Sequence, residues 1–356
     1  MVGSDGRVPL PWLAAPLEHA LENQRAHALL VQGAAGIGAL EFVMTLAQAW
    51  LCEASGPGPR PCGRCASCHL VLAQSHPDLF ILLPEALSVA LGWRTVEEEG
   101  EGGEGAKTKK KPSRQIRIGE VRLAIDWIVK TSSRGRGKVV VLHPAETLNE
   151  QAANSLLKTL EEPPAGARLL LATADPAQLL PTVRSRCQHL LLPTPANAEA
   201  LQWLAGQGVK DAELLLAAAG GRPLDARALA ADGIDGATWR ALPGAVARGQ
   251  AQGLLAWPVP RAIDALQKLC HDAMTLAVGG APRYFPAGAV QASAQPAALN
   301  AWASALSRVA RHDEHPWNEA LLVESLVAQG QTALAHRDAA QAGKPAKSPP
   351  LGTLHR

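Results

Sequence analysis

Runs of aliphatic residues recur along the first half of the chain and predict β-strands. Each run is apolar over most of its length and does not alternate with polar residues, which is typical of parallel strands covered on both faces. The runs are 27–32 (HALLVQ), Leu79–Leu83, Lys138–Leu142 and Arg168–Ala172. Helical segments lie between them, notably Leu40–Leu51, Ile118–Lys130 and Asn149–Glu162. This alternation predicts a three-layer α/β domain.

The pattern changes after Cys187, where the β signal fades. Pro193 and Pro195 indicate a linker, and the remainder is rich in Ala and Leu with helical spacing. We therefore predict an α/β domain over residues 1–192, a small helical domain over 193–235 and a longer helical domain over 236–336.

Two segments have the composition of disordered chain. Residues 95–113 pass from an acidic, Gly-rich half into a Lys-rich half with no apolar anchor, which predicts a surface insertion. Residues 337–356 have the composition of a frayed terminus.

Composition and net charge indicate which classes of protein the sequence does not favour. The chain has 356 residues, 47% of them hydrophobic, and a formal net charge of only +2, so it has no general attraction for nucleic acid or membrane. The sequence contains neither a long apolar span nor a secretory signal, so we expect a cytoplasmic protein without a membrane partner.

The first strand is followed by a glycine loop that resembles a phosphate-binding loop. Gly33, Gly36 and Gly38 lie in the stretch GAAGIGAL, which fits the template G-x-x-x-x-G-K-[ST] at both of its glycines. The template's lysine position is Ala39 and its hydroxyl position is Leu40, so the cation and the Mg²⁺ ligand are both missing. We therefore expect no functional ATP or Mg²⁺ site.

The residues that follow the strand over 138–142 also depart from the pattern of a site that hydrolyses nucleotide. It runs into His143 and Pro144, where a magnesium-binding Asp and a water-polarising acid are needed for hydrolysis. Glu146 remains nearby, and we interpret it as a solvated helix start. Together with Ala39 and Leu40, four positions needed for hydrolysis are altered, which indicates a domain that does not hydrolyse nucleotide.

Four of the six cysteines cluster in a short stretch, as Cys52, Cys62, Cys65 and Cys68. Two C-x₂-C turns with one upstream thiol supply a closed Cys₄ set, which predicts a structural zinc site. His69 is an alternative fourth ligand, and redox thiols or an iron–sulfur cluster are the alternative chemistry.

Further motifs carry a resemblance to a known family. Residues 149–164 (NEQAANSLLKTLEEPP) are similar to the helix after the Walker B strand in bacterial clamp-loader subunits, and residues 171–175 (LATAD) resemble their sensor strand. Residues 180–187 (LPTVRSRC) end in a Ser-Arg-Cys motif similar to theirs. The similarity covers roughly residues 10–235, and 316–324 (PWNEALLVE) is similar to a helix of the collar domain. The chain thus resembles the AAA+ clamp-loader family of bacterial DNA polymerase III.

The resemblance implies an architecture and a role. It implies an AAA+ RecA-like domain with a zinc module over 52–68, a lid domain over 193–235 and a collar domain, used in oligomerisation, over 236–336. Loss of the loop lysine separates the family's delta-prime type, which does not hydrolyse ATP, from the tau/gamma type, which does. A delta-prime type subunit of the holoenzyme assists loading of the sliding clamp onto primer–template DNA, with delta and tau/gamma subunits as partners.

The resemblance also assigns a role to Arg186, flanked by Ser185 and Cys187. In the family this arginine reaches across a subunit interface to ATP bound by a neighbour, where a planar guanidinium suits a γ-phosphate. The alternative is an ion pair with a carboxylate of its own domain.

Two other functions remain open from the sequence. One is an ATP-hydrolysing subunit of the tau/gamma type, against which Ala39, Leu40, His143 and Pro144 argue. The other is a zinc-dependent DNA-binding protein acting alone, which the near-neutral charge does not favour.

Overall fold

The computed structural model describes residues 1–24, 26–55, 58–94, 112–291, 295–311 and 318–335. The predicted insertion over 95–113 lies outside these ranges apart from its last two residues, and the predicted tail over 337–356 lies wholly outside them. The chain divides into two compact units. The first comprises Met1–Gln207 with Gly221–Asp225, and the second comprises Gly208–Gly220 with the chain from Ala226 onward. The three predicted domain boundaries remain a prediction.

The first unit is built on a parallel sheet of five strands in the order β2-β3-β4-β1-β5. The strands are β1 (Ala28–Gln32), β2 (Leu79–Leu82), β3 (Lys138–Leu142), β4 (Ala167–Thr173) and β5 (Gln188–Leu191). Leu30 of β1 pairs with Leu171 of β4, and Val31 pairs with Leu190 of β5. The predicted parallel sheet is confirmed.

Alternate residues of the central strands enter two separate cores. Leu29 and Val31 face one side of the sheet with α2 (Ala39–Leu51), whereas Leu30 and Leu171 face the other side with α6 (Glu150–Glu161). Burial on both faces explains why these strands are apolar at nearly every position.

The fifth strand is absent from the sequence-based prediction, in which the β signal fades after Cys187. β5 lies at the edge of the sheet, and only Leu190 of its four residues is buried. An edge strand covered so little shows neither an apolar run nor a clear alternation.

The remaining helices of the first unit connect or flank the strands. They are α1 (Ala14–Asn23), α3 (Ala66–Leu72), α4 (Glu85–Ala90), α5 (Ile118–Ile128), α7 (Pro181–Arg184) and α8 (Asn197–Gly206). The three helices predicted from the pattern are confirmed to within two residues at each end. Asn149 caps α6 by accepting a hydrogen bond from the amide of Ala152 at 2.8 Å.

The second unit is helical, as predicted. Its helices are α9 (Ala212–Ala218), most of α10 (Pro223–Ala231), α11 (Gly236–Ala247), α12 (Gln252–Leu255), α13 (Val259–Ala277), α14 (Pro296–Arg311) and α15 (Glu319–Leu334). Trp239 and Trp302 are fully buried, and the Trp302 indole donates to the carbonyl of Leu326 at 2.9 Å. None of the helices in the described ranges combines the length and the hydropathy that a bilayer crossing needs.

Candidate metal centre and degenerate phosphate loop

The glycine loop connects the end of β1 to the start of α2. Gly36 and Gly38 have φ angles of 77° and 98°, in the left-handed region that favours glycine, and Gly38 is the N-cap of α2. The strand–loop–helix geometry of a phosphate loop is therefore present. Ala39 and Leu40, in the lysine and hydroxyl positions, begin the helix and pack against the core next to β1.

Other segments of the first unit donate hydrogen bonds to carbonyls of this loop. The indole of Trp12 donates to the carbonyl of Ile37 at 2.7 Å, and the amide of Leu224 donates to the carbonyl of Gly36 at 3.1 Å. The Leu10 side chain lies directly over Gly38. The loop is thus packed against neighbouring segments of the first unit.

The side chain of Asp225 lies against the loop at Gly36, three residues before the template's lysine position. A side chain built on Gly36 would meet the Asp225 carboxylate at 2.5–2.7 Å, so Asp225 abuts the loop backbone. Arg222 fixes this carboxylate by donating to Asp225 Oδ2 at 2.6 Å. The Asp225–Arg222 ion pair therefore occupies the space beside Gly36, and the carboxylate is the member of the pair that faces the loop backbone.

The end of β3 also differs from a hydrolytic site. The His143 amide donates to the carbonyl of Leu82 at 3.0 Å, while the His143 Nδ1 atom is buried without a hydrogen-bond partner among the described residues. Burial lowers the pKa of His143, so the imidazole is neutral at pH 7. Glu146 lies in the first turn of the short 3₁₀ helix Ala145–Thr147, in agreement with its interpretation as a helix start. It is only partly solvated, because it accepts from the amide of Ala174 at 3.1 Å and its other oxygen is buried. It ties the end of β4 to the segment after β3.

The Ser-Arg-Cys motif lies after α7, close to the end of α6. Arg186 Nε donates to Glu161 Oε1 at 2.5 Å, and Arg186 Nη1 donates to the carbonyl of Thr182 at 2.9 Å. The side chains of Arg186 and Glu161 are 32% and 48% exposed. In this chain by itself, Arg186 therefore forms the ion pair within its own domain that the sequence left open.

The two residues that flank Arg186 differ in environment. Ser185 is exposed, and its hydroxyl donates to the carbonyl of Thr182 at 3.2 Å. Cys187 is buried, and burial raises the pKa of its thiol to about 12. Cys187 is thus a packed, protonated side chain, and Arg186 is the group of the motif that can meet a ligand.

The four clustered cysteines meet at one point. Their sulfur atoms all lie within 4.8 Å of one another, with 3.9 Å between Cys62 and Cys68 and 3.9 Å between Cys52 and Cys65. Because a Zn–S bond is about 2.3 Å, a tetrahedral ZnS₄ unit has sulfur–sulfur separations of about 3.8 Å. The four thiols could therefore hold a metal ion. His69, the alternative ligand, is exposed and outside this set.

Backbone amides support thiolates on the exposed side of the cluster. The amides of Arg64 and Cys65 donate to Cys62 Sγ at 3.4 and 3.3 Å, and the hydrogen bond from Arg64 leads the lowering of the Cys62 pKa to about 6. Burial instead raises the pKa of Cys52 and of Cys68. Two buried thiols that resist ionisation by themselves require a cation to become ligands, which fits a structural metal.

The N-terminal residues lie over the C-x₂-C turn. Gly63 has a φ of 67°, and a side chain there would collide with the backbone of Gly3. Val2 and Gln48 exchange two buried hydrogen bonds of 2.7 and 2.9 Å, from the Val2 amide and to the Val2 carbonyl. This strap of residues 2–4 joins the cysteine module to α2.

A second set of contacts joins the module to the loop before β3. Glu53, beside Cys52, accepts two hydrogen bonds from the Arg134 guanidinium at 2.6 and 3.0 Å. The Asp78 carboxylate accepts from the amides of Ser133 and Arg134 at 2.7 and 2.8 Å. Although burial acts to raise the Asp78 pKa, these amide hydrogen bonds keep it below its usual value.

Sequence reasoning misses Asp225 and the N-terminal strap. Asp225 follows a Gly-Gly-Arg-Pro turn that reads only as a loop between helices, and its contact with Gly36 joins positions far apart in the chain. The strap has no motif, and the glycine between two cysteines at Gly63 is the only sign of a close approach.

Comparison with known proteins places the chain in a family. The family model described as "DNA polymerase III, delta subunit" matches residues 13–196. The chain is 37% identical over 215 residues to the DNA polymerase III subunit delta' of Pseudomonas aeruginosa, covering 59% of this chain and 58% of that protein. It is 32% identical over 280 residues to the corresponding Escherichia coli subunit, covering 72% of this chain and 76% of that protein.

Among solved structures, a gamma subunit-related protein of DNA polymerase III from Thermotoga maritima aligns with 16% identity and a TM-score of 0.45, covering 91% of this chain and 100% of that chain. The family model covers the sheet, the cysteine module and the Ser-Arg-Cys motif together. The chain therefore belongs to the DNA polymerase III delta-prime subunit family.

Proposed function

We propose that the chain is the non-hydrolysing delta-prime subunit of a DNA polymerase III clamp loader. In this role it assists the ATP-dependent loading of the sliding clamp onto primer–template DNA. The observation that carries the proposal is the phosphate loop, which keeps its glycine turn while Ala39 and Leu40 replace its chemical groups. The Asp225 side chain against Gly36 adds support, because it occupies space beside the loop where a phosphate would approach the backbone.

A subunit that does not hydrolyse ATP acts through contacts with other subunits. We propose that these are the delta and tau/gamma subunits, and that the chain is part of the cytoplasmic polymerase holoenzyme and no enzyme by itself. The name of the matched relatives, DNA polymerase III subunit delta', supports this assignment.

Arg186 is the group proposed to act on a neighbour's ATP. Its partner Glu161 is half-exposed, and ion pairs at the surface contribute only about 0.2–1 kcal/mol. Breaking the Arg186–Glu161 ion pair, so that Arg186 can bind a phosphate of a neighbouring subunit, therefore costs little free energy. An arginine supplied in trans accelerates phosphoryl transfer by about 10³–10⁵-fold in enzymes that use one.

The cysteine module is proposed to hold a structural Zn²⁺ on Cys52, Cys62, Cys65 and Cys68. Four protein sulfurs leave no open position for a reacting water. The metal would therefore stabilise the fold of the module and take no part in a reaction.

Reconstitution with the ATPase and delta subunits tests the proposal. ATP turnover in the presence of the clamp and primed DNA is compared for wild type, Arg186→Ala and Arg186→Lys. We expect both variants to assemble and to lose most of the turnover at the site that this chain completes, because lysine keeps the charge but lacks the planar fork.

Glu161→Gln is the matched control, because it breaks the same ion pair from the other side. A trans role predicts that Glu161→Gln keeps near-normal turnover. Equal and small effects of Arg186→Ala and Glu161→Gln would mean that the pair is only structural. Brisk ATP hydrolysis by the purified chain by itself would instead indicate a subunit of the tau/gamma type.

A further inference from the structure

The loop between α5 and β3 contains no apolar side chain that could hold it in place. Residues 131–137 (TSSRGRG) form this α5–β3 loop, and four of the seven are exposed. Gly135 and Gly137 have φ angles of 71° and 84°, so the loop also contains two glycines in the left-handed region. A segment with few buried apolar contacts keeps one conformation only through its hydrogen bonds. The partners of those hydrogen bonds therefore determine whether the loop is ordered.

Two carboxylates outside the loop accept hydrogen bonds from it. Asp78 is fully buried and accepts from the amides of Ser133 and Arg134 at 2.7 and 2.8 Å. It also accepts from the Ser132 hydroxyl at 3.0 Å. Glu53 accepts from the Arg134 guanidinium at 2.6 and 3.0 Å. The order of the loop therefore depends on the positions of Asp78 and Glu53.

Glu53 is connected directly to the cysteine cluster. It follows Cys52, the C-cap of α2, so it lies beyond the end of that helix. Hydrogen bonds from Arg134 chiefly, and also from Ser67, lower the pKa of Glu53. Ser67 directly precedes Cys68 and is fully buried. Glu53 is therefore adjacent in sequence to one cysteine of the cluster and hydrogen-bonded to the neighbour of another.

Asp78 is connected to the cluster through a buried histidine. Ser67 Oγ and His76 Nε2 lie 2.7 Å apart, and the Asp78 amide donates to His76 Nδ1 at 3.0 Å. Because Nδ1 accepts, Nε2 carries the proton of the neutral ring and donates to Ser67. Burial lowers the pKa of His76, so the ring is neutral at pH 7. The histidine thus holds the Asp78 backbone to the helix that carries Cys68.

These contacts form one closed ring of hydrogen bonds between the cysteine cluster and the loop. Its members are Glu53, Arg134, Asp78, His76 and Ser67. Glu53 and Ser67 each adjoin a cysteine, so a metal ion bound by the four sulfurs would fix the positions of both. Without a metal ion, nothing binds the cysteine turns to one another except weak contacts between thiols.

We propose that metal binding at the cysteine cluster orders the α5–β3 loop through this ring. The inference rests on the proposed zinc site and extends its effect beyond the module. The loop carries Arg136 on the surface, so the metal would determine how a charged segment remote in sequence is presented.

Hydrogen exchange of the full-length chain, before and after zinc is removed by a chelator, tests the proposal. We expect removal of zinc to speed the exchange of the Ser133 and Arg134 amides about tenfold or more. The Ala174 amide is the internal control, because it also donates to a carboxylate, that of Glu146, in the same unit. It follows the carboxyl end of β4, whereas the loop precedes β3, and its exchange should stay within about twofold.

The double variant Glu53→Gln with His76→Asn breaks the ring and keeps all four cysteines. Glutamine lacks the charge that pairs with Arg134, and the shorter asparagine does not reach Ser67. We expect this variant to bind about one zinc ion per chain, while its loop amides exchange fast with and without zinc. Glu85→Gln is the matched control, because it alters an ion pair of the first unit outside the ring, and it should keep the wild-type response to zinc.

Zinc content, measured by mass spectrometry, separates failure of the metal site from failure of the coupling. A wild-type chain that holds no zinc overturns both. The coupling alone is overturned if zinc binds and the loop amides of wild type do not respond, or if the Ala174 amide responds as strongly as they do. An equal response in the double variant and in wild type would also overturn it.

Discussion

At the scale of single residues, Gly36 determines what the phosphate loop can hold. Its φ of 77° is accessible to glycine at little cost, and the space that a side chain would need is taken by the Asp225 carboxylate. The same glycine that lets a phosphate approach the backbone in a working loop here lets a carboxylate approach it. The loop has kept its shape, while the Asp225–Arg222 ion pair occupies the space beside Gly36.

Gly36→Ala is therefore expected to destabilise the first unit for two reasons. Alanine is strained at this φ, and its methyl group must displace Asp225 from its position against the loop. We expect a loss of about 1–3 kcal/mol in the free energy of unfolding, measured by urea denaturation.

Gly135→Ala separates the two causes. Gly135 has a similar φ of 71°, but a side chain there meets nothing within 4 Å. It should therefore show the cost of the backbone strain without the cost of the collision. Equal losses of stability for the two variants would mean that Asp225 moves aside freely and does not close the loop.

Single residues also show which features of the site could be predicted from the sequence and which could not. Ala39 and Leu40 could be recognised as defects because the template fixes their spacing to the glycines. The Arg186 motif could be recognised as a string, but its pairing with Glu161 depends on how α6 and α7 pack. Asp225 could not be assigned, since no spacing rule connects it to Gly36.

At the scale of elements, we expect the cysteine module to depend on a bound metal ion. The segment from Cys52 to α3 contains few apolar side chains of its own, and burial keeps the thiols of Cys52 and Cys68 protonated in the absence of a cation. The strap packs against Gly63, and Glu53 pairs with Arg134 in the loop before β3.

Cys52→Ser should accordingly lose the metal. We expect the zinc content of the purified protein, measured by mass spectrometry, to fall from about one ion per chain to near zero, because a closed Cys₄ site lacks a replacement ligand. The thermal midpoint should fall as well, and chelation of zinc from wild type should lower it to the same level.

Cys270→Ser controls for removal of a buried thiol. Cys270 lies in α13, where its thiol donates to the carbonyl of Leu299 at 3.6 Å and burial raises its pKa to about 11. This variant should keep its zinc. If Cys52→Ser retained zinc at the wild-type level, Cys52 would not be a ligand and the metal would be held by the other three cysteines with another group.

Elements were predicted well where burial is complete and poorly where it is partial. β1, β3 and β4 lie inside the sheet, so both of their faces are apolar and their positions could be read from the sequence. β5 has one buried residue at an open edge, so its pattern is no different from that of a loop. The four cysteines could be grouped from spacing, whereas the strap that covers them could not.

At the scale of the whole molecule, the chain keeps the parallel-sheet scaffold of a nucleotide-binding domain, and four positions of the hydrolytic template carry other residues. The four altered positions lie at the start of α2 and directly after β3, on the edge of the sheet where a nucleotide would bind. The group proposed to act, Arg186, lies at the surface and requires another molecule. We therefore expect the free chain to be indifferent to ATP.

Thermal unfolding with and without Mg-ATP measures this indifference. A ligand at 100 times its dissociation constant stabilises the native state by about 2.7 kcal/mol, which is a readily measured shift of the midpoint. We expect the wild-type midpoint to stay unchanged.

The variant Ala39→Lys with Leu40→Thr restores the template but keeps Asp225, so its midpoint should also stay unchanged. Addition of Asp225→Ala to that variant removes the opposing charge and should produce an ATP-dependent shift. A shift already present in wild type would show that the loop accepts a triphosphate in spite of Asp225, and the carboxylate would then have to move away on binding.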